Sequence, residues 1–215
     1  MNHLKDHILD CLYSVNSGSK SADDRKEYTD PERRGVSLAG GRLYMHASLH
    51  VNYTSYDVRR LQDVVNCTDL DRERCNVMVF ANEENSNAHP FWYARVLRIF
   101  HANIIHSGCQ NGERMEFLWV RWFGRDMTYP AGLTARRLDR VGFVNGETDR
   151  FGFLDPSLVV RACHLIPAFQ YGRTQSLLGP SKYRHRDGDW CYYYINRHVQ
   201  TCQMSRSKSS NQWLA

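Results

Sequence analysis

Two long aromatic and β-branched runs constrain this chain more than any other feature. They are residues 91–105 (FWYARVLRIFHANII) and 115–123 (MEFLWVRWF), separated by the Gly- and Asn-containing segment 107–113. Rings and branched side chains favour the pleated conformation, and two such runs joined by a short polar link predict a hairpin. In the first strand Trp92, Ala94, Val96 and Phe100 share one face. In the second, Leu118, Val120 and Trp122 share one face, while Phe117, Trp119, Arg121 and Phe123 share the other. Apolar residues on both faces point to a strand covered on both sides. The alternative is that one face carries an aromatic binding surface.

The flanking sequence supplies shorter elements. Over residues 3–14, Leu4, Ile8, Leu9 and Leu12 form one stripe, which predicts a short amphipathic helix. Residues 15–35 are polar and read as a loop or linker, within which Thr29-Asp30-Pro31-Glu32 has the form of a helix start. From Arg42 the period changes: Leu43, Met45, Leu49, Val51 and Tyr53 alternate with polar residues, as in extended chain. Further strands are expected at 76–81 (NVMVFA), 140–145 and 191–195 (CYYYI). A polar loop is expected at 83–89, and a helical turn after Asp155-Pro156. From Thr201 onward Ser, Lys, Gln and Asn dominate, and disorder is expected. The organisation that follows is an N-terminal helix and polar linker (1–41), a small antiparallel β-barrel (42–196) and a disordered tail (197–215), hence a mainly β fold with short helices.

Hydrophobic residues make up 42% of the 215 and charged residues 24%, enough for a real core. No apolar run approaches bilayer-spanning length, and the first residues contain no apolar signal segment, so a membrane partner is not expected. The seven Cys are odd in number and include no C-x-x-C, which fits free thiols in a reducing, cytoplasmic or nuclear compartment. A net charge of +5 permits contact with an acidic polymer without requiring it, and the basic excess sits in 91–145 and 181–215.

Catalytic signatures are missing: there is no G-x-S-x-G, no P-loop, no H-E-x-x-H and no dinucleotide fingerprint. Neither the His101/His106 spacing nor adjacent Cys163-His164 matches a structural zinc pattern, so no metal and no cofactor are expected. Asp155 beside His164 invites an acid–base reading, but an Asp before Pro more simply caps a turn. Two sets of residues remain as candidates for binding. Trp92, Tyr93, Trp119, Trp122 and Phe123 suit either a cation cage or base stacking, against the plainer reading that they fill a barrel core. Arg121, Arg125, Arg136, Arg137 and Arg140 suit phosphate tracking, against a solvated rim, and Arg125-Asp126 also suits a structural ion pair.

The run His89-Pro90-Phe91-Trp92-Tyr93-Ala94-Arg95-Val96, followed by Phe117-Leu118-Trp119-Val120-Arg121-Trp122-Phe123-Gly124-Arg125-Asp126, resembles a region recurring in Plavaka-type and related transposon-associated proteins of mushroom-forming fungi. Further matching stretches run in the same order: 51–60 (VNYTSYDVRR), 140–144 (RVGFV), 151–156 (FGFLDP), 164–169 (HLIPAF) and 171–174 (YGRT). The resemblance implies the C-terminal end of a larger transposon-linked protein and carries no assigned activity. After Tyr193-Tyr194-Ile195-Asn196 the similarity stops, so 197–215 is expected to be non-homologous and the chain a truncated relic or incomplete gene product. A second, architectural resemblance is to bromo-adjacent homology domains, carried by the strand 93–100, the aromatic-Arg corner 122–125 and Cys163-His164-Leu165. It implies a non-catalytic, nuclear interaction module with chromatin or other protein partners. Direct nucleic-acid binding through 121–140 is the alternative.

Overall fold

A computed structural model describes residues 2–17, 28–55, 57–67, 74–81, 89–106, 109–132, 135–146, 150–196 and 213–214. Helices α1 (Asn2–Ser17) and α2 (Asp30–Arg34) precede β1 (Ser37–Leu38), β2 (Tyr44–His46), β3 (Ser48–Thr54), β4 (Arg60–Asn66) and β5 (Asn76–Phe80). The long strands β6 (Phe91–His106) and β7 (Cys109–Arg125) follow, then β8 (Arg140–Phe143), β9 (Phe151–Leu154), β10 (Val159–Ala162) and β11 (Leu165–Pro167). Last come β12 (Arg173–Thr174), β13 (Asp189–Trp190), β14 (Tyr193–Ile195) and β15 (Trp213–Leu214). The protein is mainly β, with a curled antiparallel sheet and an N-terminal helix.

The hairpin is longer than its sequence pattern suggests. The segment 109–113, expected in the link, is strand, and the ladder continues to His106↔Cys109. Gly112 at φ 76° supplies the left-handed residue there, close to a register shift between Ile104 and His106. A second shift between Val96 and Arg98 inserts an extra residue into β6. Alternation therefore flips beyond it. Ile99, not Phe100, continues the face of Ala94 and Val96, and Phe100 packs at a tilt against Phe117 on the other side.

β7 is covered on both faces. On one, Val96, Ile99, Leu118 and Val120 pack with Leu49, Val51 and Val65 of the β3–β4 sheet. On the other, Ala102, Ile104 and Phe117 pack under Leu4, Ile8 and Leu9 of α1. α1 runs three residues beyond the expected 14, with Leu4, Ile8 and Leu9 of its apolar stripe buried and Leu12 partly so. Thr29 caps α2: its backbone N–H donates to Glu32 Oε2 at 2.7 Å, with Pro31 in the first turn. Arg33 of α2 holds Asp6 of α1 at 2.6 Å. Ser37 and Leu38, placed in the linker by composition, pair with Ile105 and Ile104, so the N-terminal segment is part of the main sheet.

That sheet runs β10-β5-β6-β7-β8-β14-β11, with β1 and β2 also on β6 and β9 on β7. Its two edge strands are consecutive in sequence, separated only by Cys163 and His164. Cys163 N–H donates to Asn76 O at 2.8 Å, and His164 O accepts from Asn196 N–H at 3.1 Å. One bent strand thus joins both edges and curls the sheet around Met78, Tyr93, Phe123, Val141, Phe143, Leu165, Tyr193 and Ile195. Most of the predicted tail lies outside the described residues. The exception is Trp213–Leu214, whose backbone pairs with His50 and Leu49, where disorder was expected. Among the described residues no helix is long and apolar enough to cross a membrane.

Candidate binding cleft

The sequence-selected rings divide between the two faces of the hairpin. Tyr93 and Phe123 are buried inside the curled sheet, Phe123 stacking on Phe143 at 4.3 Å. Trp119 shares their face but is partly buried under Tyr183 (4.7 Å) and Phe151 (5.8 Å). Trp92 and Trp122 lie on the opposite face in an edge-on pair at 6.2 Å, Trp92 being 44% exposed. The five do not surround one cleft, because successive strand residues alternate sides. A Cβ on Gly152 would stand 2.7 Å from Trp122 Nε1, so only glycine lets that indole lie against β9.

The five arginines divide as well. Arg121 is fully buried inside the curl, with Nη1 donating to Asp189 Oδ2 at 2.7 Å and its Cζ 3.6 Å from the Phe143 ring centre. Its Nε and Nη2 have no hydrogen-bond acceptor, and burial pushes its pKa down. Arg140 is also buried and ion-paired. Arg125 reaches Asp139 at 3.6 Å rather than its neighbour Asp126, which corrects the expected local pair. Arg136, at φ 50°, and Arg137 remain exposed. A continuous basic stripe over 121–140 is therefore not formed: Arg121, Arg125 and Arg140 are spent on the buried carboxylates of Asp189, Asp139 and Asp126.

A concavity lies at the corner where β7 ends and β8 begins. Arg140 donates from Nε and Nη2 to Asp126 Oδ2 at 2.9 and 2.6 Å. Its guanidinium lies 4.1, 4.6 and 4.5 Å from the ring centres of Tyr129, Tyr171 and Tyr192. An aromatic box of the predicted chemistry thus exists, built from other residues and filled by the protein's own cation. The Thr128 hydroxyl, donating to Asp126 Oδ1 at 2.6 Å, and then Arg140 hold the Asp126 carboxyl below its ordinary pKa against the opposing effect of burial.

Asp126 and Tyr192 also line a cleft of about 630 Å³, together with Arg125, Met127, Phe143 and Leu177. Part of its wall is bare backbone: Gly124 and Gly142 face each other directly across β7 and β8. A Cβ on Gly142 would lie 3.0 Å from Cys191 O and 3.5 Å from the Tyr192 ring. A strand glycine leaves room for another backbone to approach, and at Gly142 that backbone is the protein's own Cys191; a glycine within a strand pattern is the sequence signal for this corner. The tyrosines at 129, 171 and 192 carried no such signal, being brought together only by the fold.

Asp155 caps its turn as expected, accepting from Ser157 N–H at 2.8 Å. Cys163 is buried and His164 exposed, so the two neighbours do not share one site. Burial pushes the Cys163 thiol up to about 12 and raises that of Cys67 further. Among the described residues no group of three or more His, Cys, Asp or Glu is arranged to hold a metal ion. No protein family, curated protein or solved structure matches the chain.

Proposed function

We propose that this chain is a non-catalytic interaction module that binds a protein segment in the β7–β8 corner cleft. In keeping with the sequence resemblances, its partner belongs to chromatin or a transposition complex in the nucleus. The observation that carries this reading is the cleft itself: an open groove with apolar Met127 and Leu177 and both signs of charge in Arg125 and Asp126. Such a mixture suits an extended peptide, which needs small apolar contacts and a few polar anchors.

A non-catalytic role is supported by how the acidic groups are used. Asp63 holds Arg161 at 2.8 Å, Asp126 holds Arg140, and Asp189 holds Arg121, so these carboxylates anchor the fold. The buried thiols at 67 and 163, with raised pKa values, are poor nucleophiles. Direct nucleic-acid binding loses support from the burial of Arg121 and Arg140.

The test is fluorescence anisotropy of the full chain against modified and unmodified histone-tail peptides and a DNA duplex. Met127 is 81% exposed, so Met127→Asp leaves the fold intact. A peptide should bind and lose tenfold or more of its affinity with Met127→Asp, while Arg137→Ala has little effect. Salt-sensitive duplex binding with no peptide bound would overturn the reading, as would peptide binding indifferent to Met127→Asp.

A further inference from the structure

At the other end of the hairpin, three-residue β2 lies along β6 as an edge strand, with Tyr44 opposite His101 and His46 opposite Ile99. Side chains two residues apart on a strand share a face, so Tyr44, His46 and His101 stand together. Across the ladder, Glu116 of β7 stands opposite His101 on that same face. His46 Nε2 and His101 Nδ1 meet at 2.6 Å, and Tyr44 stacks on the His101 ring at 4.7 Å and 9°. Both histidines are half-buried.

We propose that His46 and His101 form a binding site for a divalent transition-metal ion of the kind that favours imidazole, such as Ni²⁺, Cu²⁺ or Zn²⁺. The two ring nitrogens stand 2.6 Å apart, closer than an ordinary N–H hydrogen bond of roughly 2.7–3.2 Å; without an ion one ring donates its N–H to the other, and loss of that shared proton gives two lone pairs to an ion. An ion bonded at about 2.0–2.1 Å with an angle between about 90° and 109° sets its nitrogens roughly 2.9–3.4 Å apart. The pair must open by roughly 0.3–0.8 Å, a movement that a short edge strand permits. Tyr44, stacked on it, restrains the His101 ring plane in advance. Water completes the shell, since Glu116 on this face is bonded to Arg114 at 3.0 Å and no third His, Cys, Asp or Glu among the described residues is placed to join the pair. Neither histidine was selected as a ligand with the other in sequence, because 55 residues separate them and only the β2–β6 register joins them.

This site is separate from the corner cleft and stands or falls without it. The test is calorimetric titration of the full chain with NiCl₂ and with ZnCl₂, alongside thermal melting with and without the ion. One ion per chain should bind, with at least tenfold loss in His46→Gln and in His101→Gln. His50→Gln should behave as wild type, since His50 bonds Gln62 on the neighbouring sheet at 2.9 Å. Nickel should raise the melting temperature of wild type and not of the two variants. If His101→Gln melts early without ion, His46→Gln on the edge strand carries the test alone. Absence of saturable binding by wild type, or equal affinity in wild type and His46→Gln, would overturn the proposal.

Discussion

Two arginine–aspartate pairs tie the hairpin region to the C-terminal part of the chain, and they solve the same electrostatic problem differently. Arg121 and Asp189 meet inside the curled sheet, at 0% and 2% exposure of their side chains, through a single 2.7 Å contact. Arg140 and Asp126 meet at the corner, at 10% and 9%, through two contacts and among three tyrosine rings. The inner guanidinium keeps two nitrogens without acceptors and stands opposite a second cation, Arg95, in the ladder. The outer carboxylate is further supported by Thr128. Depth therefore does not bring better satisfaction here. The dry pair holds together because removing either partner strands a charge, whereas the corner pair is held by redundant contacts that can be loosened one at a time.

The sharpest way to break that contrast is Asp189→Asn. It should cost about 3–5 kcal/mol in urea unfolding, while Arg121→Met with Asp189→Leu should cost less than the single change, since no buried charge is stranded. Asp126→Asn should cost about 1–3 kcal/mol, the range for losing a charged hydrogen-bond partner. If Asp126→Asn proves the more damaging of the two, the contrast is wrong. The smallest effect is in pH. Because Asp126 is held below its ordinary pKa in the folded state, its stabilisation is present above the unfolded value of about 4 and is lost as pH falls through the folded one. Acid unfolding followed by circular dichroism should therefore be shallower below about pH 4 in Asp126→Asn than in wild type.

Much of the architecture was legible because it rests on local pattern. The hairpin, the alternation in β7, the stripe of α1, the Thr29 cap and the Asp155 turn all follow from spacing within a few residues. Phe100 was misplaced because a single inserted residue at the Val96/Arg98 shift reverses every later side chain, and a bulge leaves no clear mark in composition. Ser37 and Leu38 were read as linker because a two-residue strand is too short for periodicity to register. The candidate site was less legible. Trp92, Tyr93, Trp119, Trp122 and Phe123 were correctly grouped on adjacent strands, but alternation sends them to opposite sides. Tyr129, Tyr171 and Tyr192, which do surround a cation, come from two loops and a single 3-10 turn, Phe169–Tyr171.

From its residue order alone this protein was bound to form a ring-rich antiparallel hairpin with both faces covered, since aromatic and β-branched runs of that length have few other ways to leave water. Which arginine would be interior and which exposed was decided only when the sheet curled and its two edges met through Cys163 and His164. The physical reason is range. Backbone propensity and alternation act over two to four residues, while desolvation and ion pairing depend on neighbours 14 to 68 positions away, as in Arg140–Asp126 and Arg121–Asp189.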